Sequence, residues 1–179
     1  MKPCLFTLAL VLLFSTCFAQ ANESGGDVDG RTSFFAELGG VGILFSANID
    51  TRFKPSRLGW GGRIGLGFVS GYIQSNPDPY TGYENPTSVV TVPIQLNYVF
   101  GKGTSPHTFE VGAGVTIAGH KLDIFNFYND QRSSVFGSAS FMYRRQPVNG
   151  GFSWRIGFTP LIARGYIQPT GGVSVGYNF

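Results

Sequence analysis

Gly171-Gly172-Val173-Ser174-Val175-Gly176-Tyr177-Asn178-Phe179 reads as one strand with two unlike faces. Val173, Val175, Tyr177 and Phe179 share one side, and Ser174, Gly176 and Asn178 share the other. On the edge of a soluble sheet this segment would expose an apolar strip beside an unpaired backbone ladder, a template for aggregation. In a closed barrel its backbone is paired on both flanks, and the apolar strip needs only an apolar surrounding.

The same alternation recurs upstream. In Thr87 to Phe100, Val90, Val92, Ile94, Leu96 and Tyr98 oppose Thr91, Pro93, Gln95 and Asn97. In Thr108 to His120, Phe109, Val111, Ala113, Val115 and Ile117 oppose Glu110, Gly112, Gly114, Thr116 and His120. Gly151 to Leu161 sets Phe152, Trp154, Ile156 and Phe158 against Ser153, Arg155, Gly157 and Thr159; Trp60 to Tyr72 sets Ile64, Leu66 and Phe68 against Arg63, Gly65 and Gly67. A soluble sandwich also alternates. Here glycine, arginine and glutamate occupy the face opposite the large apolar side chains, as a narrow polar lumen requires, which leaves the apolar face for lipid. With 26 Gly, 17 Phe and 8 Tyr and only 13% charged residues, the composition disfavours a soluble helical domain, because glycine weakens helices and aromatic residues favour strands.

Connection lengths orient the strands. Gly101 to His107 and Gln146 to Gly151 are short, whereas 73–87 and 121–133 are long. Outer-membrane barrels keep short turns in the periplasm and long loops outside. Strands beginning near Trp60, His107 and Gly151 then run outward, and those near Ser88, Ser134 and Gly171 return. An even count requires two more strands, Ser33 to Gly39 and Gly42 to Arg52, hinged at Gly39-Gly40-Val41-Gly42; one long bent strand fits the same residues locally. The expected fold is all-β, an eight-stranded antiparallel transmembrane β-barrel over 33–179, with both ends periplasmic.

Residues 1–19 read as a signal peptide: Lys2, the apolar run Leu5 to Phe14, and a small-residue cleavage site after Ala19. The run is short for a transmembrane helix, and Phe14-Ser15-Thr16 is a poor approach to lipidation at Cys17. Cys4 and Cys17 both lie within it, so the chain beyond has no disulfide or cysteine metal site. Residues 20–32 form a polar, glycine-rich leader. Its Asp27-Val28-Asp29-Gly30 resembles the opening of a calcium loop, but Arg31 and Leu38 occupy later ligand positions. The net charge of +3 is scattered, which argues against nucleic acid.

The terminal strand, with its final Phe, resembles the C-terminal signature that the barrel-assembly machinery reads, carried by Val173, Val175, Tyr177 and Phe179. Glu37-Leu38-Gly39-Gly40, Ser46 to Phe53, Pro93 to Tyr98, Phe109 to Gly114 and Gly157 to Pro160 resemble small bacteroidete-type outer-membrane barrel proteins, and the expected fold is similar to OmpX-like barrels. The resemblance implies fold and location and carries no chemistry.

An eight-stranded barrel is just wide enough for side chains to fill, so an open porin is not expected. Parity turns Glu37, Arg63, Glu110, Arg144 and Arg155 inward at similar depth, where they are expected to form an ion-pair network. The main functional expectation is a structural or surface-interaction role without enzymatic activity, as a monomer, with outer-membrane lipid as surroundings and an extracellular ligand possible through loops 73–87 and 121–133. Tyr80, Tyr83, Phe125, Phe127 and Tyr128 in those loops fit an interfacial girdle better than a binding face. The alternative is a lipid-modifying acyl hydrolase or transferase, with Ser134 as nucleophile, His120 as base, and Asp123 or Asp130 orienting it. His107 reads as a solvated turn residue. No nucleotide fingerprint or metal-ligand spacing is present, and no cofactor is expected.

Overall fold

The computed structural model describes residues 30–71, 87–122 and 133–179. Its strands are β1 (Thr32–Gly39), β2 (Phe45–Arg52), β3 (Gly59–Gly71), β4 (Thr87–Gly101), β5 (His107–Leu122), β6 (Ser133–Arg145), β7 (Gly151–Phe158), β8 (Leu161–Ala163), β9 (Tyr166–Gln168) and β10 (Gly171–Asn178). β6 pairs with β7 through Phe141↔Phe158 and with β8 through Gly137↔Ile162, so β7 and β8 are one stave interrupted at Thr159-Pro160. β9 likewise leads into β10 across Pro169-Thr170. The ten segments therefore make eight staves. Neighbours pair antiparallel throughout, and β1 with β10, from Ser33↔Asn178 to Gly39↔Gly172, closes the ring.

The break at Pro160 follows from its missing N–H, which a central ladder cannot accommodate without a local irregularity. The Pro160 carbonyl still accepts from Ala139 N–H at 3.1 Å, and Thr159 N–H donates to Thr170 O at 2.7 Å, which carries the pairing across the break. Parity is preserved: Thr159, Leu161 and Ala163 all turn inward. The strand expected to stop at Leu161 thus runs on to a two-residue turn at Arg164-Gly165, where both residues have positive φ (51° and 83°). That is the mirror-image geometry whose twist suits a hairpin.

The segment 33–53 is a hairpin, as parity required. Its hinge is a single 3-10 turn, Gly40–Gly42, folded into the barrel with Val41 fully buried. Gly39 and Gly40 supply φ near 70°, and Ile43 adopts φ 81°, ψ −68°, a strained γ-turn conformation for a β-branched residue.

The barrel is apolar outside and polar inside. Leu38 and Leu66 are each 64% exposed on the outer face, among many large apolar neighbours. The largest fully buried side chains include Arg52, Arg63, Arg144, Arg155, Glu37 and Glu110. Glycine makes room for them and for the neighbouring backbone. A Cβ at Gly61 would strike the Arg52 guanidinium, one at Gly40 the Glu37 carboxylate, and one at Gly114 the Ile94 carbonyl. With β3 to β6 running 13, 15, 16 and 13 residues at about 3.3 Å each, the longer staves exceed a hydrocarbon core of about 30 Å even when tilted by about 45°.

Candidate functional site

Inside the barrel, the inward-pointing positions near the middle of the staves are polar apart from Phe35 and Met142, and strand pairing brings the polar ones to one level. β1 contributes Ser33, Phe35 and Glu37; β2 Asp50 and Arg52; β3 Arg63; β4 Asn97; β5 Glu110; β6 Arg144; β7 Arg155. Arg63 meets Glu110 at 2.8 Å and Glu37 at 3.5 Å. Arg144 spans Asp50 at 2.9 Å and Glu110 at 3.1 Å, and Arg155 reaches the same two carboxylates at 3.6 and 3.5 Å. Arg52 pairs with Asp50 and donates to Asn97 Oδ1 at 2.6 Å. Ser33 Oγ accepts from Arg144 at 3.2 Å and Arg155 at 2.9 Å. The Phe35 ring lies under the Arg155 guanidinium at 3.7 Å and beside that of Arg63 at 4.8 Å.

All five lumen charges singled out from sequence therefore belong to one connected set, with every member almost wholly buried. Five residues that sequence reasoning passed over complete it: Ser33, Asp50, Arg52, Asn97 and Phe35. Asp50 and Arg52 were available from parity, because Ser46, Asn48, Asp50 and Arg52 alternate with Phe45, Ala47, Ile49 and Thr51. Phe35 was not, because an inward aromatic contradicts the polar-in rule and is explained only by the guanidinium groups stacked on it.

The lumen is covered at both ends. Toward the end where β1 starts and β10 finishes, here the proximal end, Arg57 of the β2–β3 turn is 5% exposed and donates to the carbonyls of Gln146 (3.2 Å), Lys102 (3.1 Å), Gly103 (2.7 Å) and Ser105 (2.6 Å). One guanidinium thus ties three turns together. Burial and the nearby Arg144 lower its pKa from the ordinary arginine value. At the distal end the Gly40–Gly42 turn sits over the charges, pinned by Thr91 Oγ1 donating to Gly42 O at 3.0 Å and Thr116 Oγ1 to Val41 O at 2.6 Å. Val89, Ala118, Leu122, Phe136 and Ala163 pack together as an apolar cap, with Ile43, Val69 and Tyr166 against them.

The outer face carries an aromatic belt near the proximal end. Trp60, Tyr98, Phe100, Phe109, Tyr143 and Trp154 succeed one another from β3 to β7 with ring centroids 5.2, 6.5, 5.9, 5.7 and 5.3 Å apart. His107 is exposed in this belt and its Nδ1 is hydrogen-bonded to the Tyr143 hydroxyl, so it is a partnered residue at the start of β5 and not a free turn residue. Loop residues Tyr80, Tyr83, Phe125, Phe127 and Tyr128 lie outside the described residues, as do residues 1–29.

His120 and Ser134 are not brought together in the way sequence parity suggested. Ile117 pairs with Val135 but Leu122 with Ser133, so the β5–β6 register slips between them. His120 falls within the slip and is exposed, Leu122 takes the buried place, and no hydrogen bond joins His120 to Ser134. Asp123 and Asp130 lie outside the described residues. Val173, Val175 and Tyr177 stand exposed on the outer face of β10, with Phe179 beyond its end. No cluster of metal-ligating side chains occurs among the described residues.

No protein-family model matches the chain, and no curated protein sequence does. Among solved structures it is similar to the N-terminal β-barrel domain of OprF from Pseudomonas aeruginosa, with a TM-score of 0.51 and 12% identity, over 83% of this chain and 96% of that one. At that identity the likeness is one of fold, a closed eight-stranded antiparallel barrel, and function does not follow from fold.

Proposed function

We propose that the chain is a small outer-membrane barrel protein with a structural or surface-interaction role, whose lumen is a packed polar core and not an open pore. The observation that carries this reading is the inversion of polarity: large apolar side chains cover the outside, while four arginines and three carboxylates fill the inside. In water that distribution would expose far more contiguous apolar surface than soluble monomers tolerate. In a bilayer the apolar outer face meets a matching medium, and closure of the ladder removes the sheet edges that would otherwise face hydrocarbon. The aromatic belt stands where amphipathic rings favour the interface. On this reading residues 1–19 direct export, 20–32 form a leader, both ends of the barrel chain are periplasmic, and Val173, Val175, Tyr177 and Phe179 present the assembly signal.

Membrane fractionation with a heat-modifiability gel tests it. The protein is expected in the outer membrane, with slower migration after boiling. Recovery as a soluble periplasmic protein without a heat-dependent shift would overturn the reading.

A further inference from the structure

Among the described residues the carboxylate side chains are Glu37, Asp50 and Glu110, and all three are buried in the lumen. The exposed side-chain charge of the described barrel is therefore cationic throughout: Arg31, Lys54, Lys102 and Arg145 at the proximal end, Lys121 and Arg164 at the distal end. The proximal four are spread around the rim. Arg31 precedes β1, Lys54 lies in the β2–β3 turn, Lys102 in the β4–β5 turn, and Arg145 ends β6. They border the aromatic belt on the side away from the apolar wall.

At one place the surroundings are specific. Arg145 stands in register between His107 of β5 and Trp154 of β7, all three on the outer face. Tyr143, two residues along β6, is bonded to His107 Nδ1 and packs against Phe109 and Trp154. In the tautomer whose Nδ1 accepts from the Tyr143 hydroxyl, the ring proton is on Nε2 and would add a donor beside the guanidinium. Beyond this row the outer face continues with Val111, Phe141 and Phe158, three exposed apolar residues in register. Donors at the rim with an apolar wall running away from them match a phospholipid: an anionic phosphodiester at one end and acyl chains along the wall. A ring of separated cations also suits ligands that arrive singly better than one continuous polyanion.

We propose that the proximal collar binds anionic phospholipid headgroups of the surrounding leaflet, with Arg145 and His107 as the principal seat, Tyr143 positioning His107, and Lys102 and Lys54 adding attraction. The proposal rests on the outer-membrane reading. The attraction belongs to exposed cations near a charged surface, so it is screened by salt.

The chain's two tryptophans provide the probe, since Trp154 flanks the seat. In a Trp60→Phe background, the protein is reconstituted into phosphatidylcholine vesicles carrying an equal mole fraction of either brominated phosphatidylglycerol or brominated phosphatidylcholine. Quenching of Trp154 should reveal a preference of about two-fold or more for phosphatidylglycerol. High salt and the pair Arg145→Gln with Lys102→Gln should abolish it, while Lys121→Gln with Arg164→Gln should leave it intact. Equal quenching by the two lipids, or a preference that survives Arg145→Gln with Lys102→Gln, overturns the proposal while leaving the barrel in the membrane. Quenching by neither lipid would instead mean that the barrel is not in the bilayer. Inorganic phosphate is expected to compete no better than chloride of equal ionic strength; stronger competition would make this a free-phosphate site and overturn the lipid assignment.

Discussion

Glu110 touches Arg63, Arg144 and Arg155. Removing one partner from a buried ion pair is costlier than the pair is stabilising, because it strands an opposite charge in a poorly solvated place. Glu110→Ala is therefore expected to lower stability by about 3–5 kcal/mol, measured by urea unfolding in vesicles. Steric limits act at the same scale. Gly114→Val, whose Cβ would strike the Ile94 carbonyl, should cost about 1–3 kcal/mol, whereas Gly103→Ala, with open space around the site, should be neutral in the same assay. His120→Ala with Ser134→Ala should leave lipid A unchanged by mass spectrometry, since the register slip leaves no serine–histidine hydrogen bond to disrupt. Polar parity made the charged residues legible in the sequence. Their individual partners were not, because Asp50 and Arg144 are 94 residues apart in the chain and meet only across the lumen.

Elements are held at their ends by single residues. Arg57 binds carbonyls from two other turns, so Arg57→Ala should loosen all three turns together. Hydrogen exchange is expected to quicken by about ten-fold or more at the amides of Ser105 and Gln146, equivalent to about 1.4 kcal/mol of local stability. Those amides bond to Lys102 and Pro106 carbonyls within the clasped region. Unchanged exchange would show that the turns close independently. Strand pattern could place the turns but not this clasp: an arginine in a short polar turn reads as solvated, and only the convergence of three turns over the barrel mouth buries it. The extension of the last two staves to Arg164-Gly165 was hidden similarly, because the alternation was followed only to Leu161 and resumed at Gly171, whereas pairing continues across Pro160 and Pro169.

Across the whole molecule, the charge network, the Arg57 clasp, the inward Gly40–Gly42 turn and the apolar cap occupy successive levels of one lumen. Purified protein in planar bilayers is accordingly expected to give no conductance steps, and steady open-channel currents would contradict a packed lumen. By itself the sequence determined the all-β class, the two faces of each stave and the residues turned inward, because side-chain direction alternates with period two whatever the strand pairs with. It also required an even strand count, and so the hairpin over 33–53. The tertiary structure alone decided which charges meet, which turn folds inward as a lid, and that His120 and Ser134 do not bond. Those outcomes depend on register and closure, and both are set by pairing between segments remote in sequence.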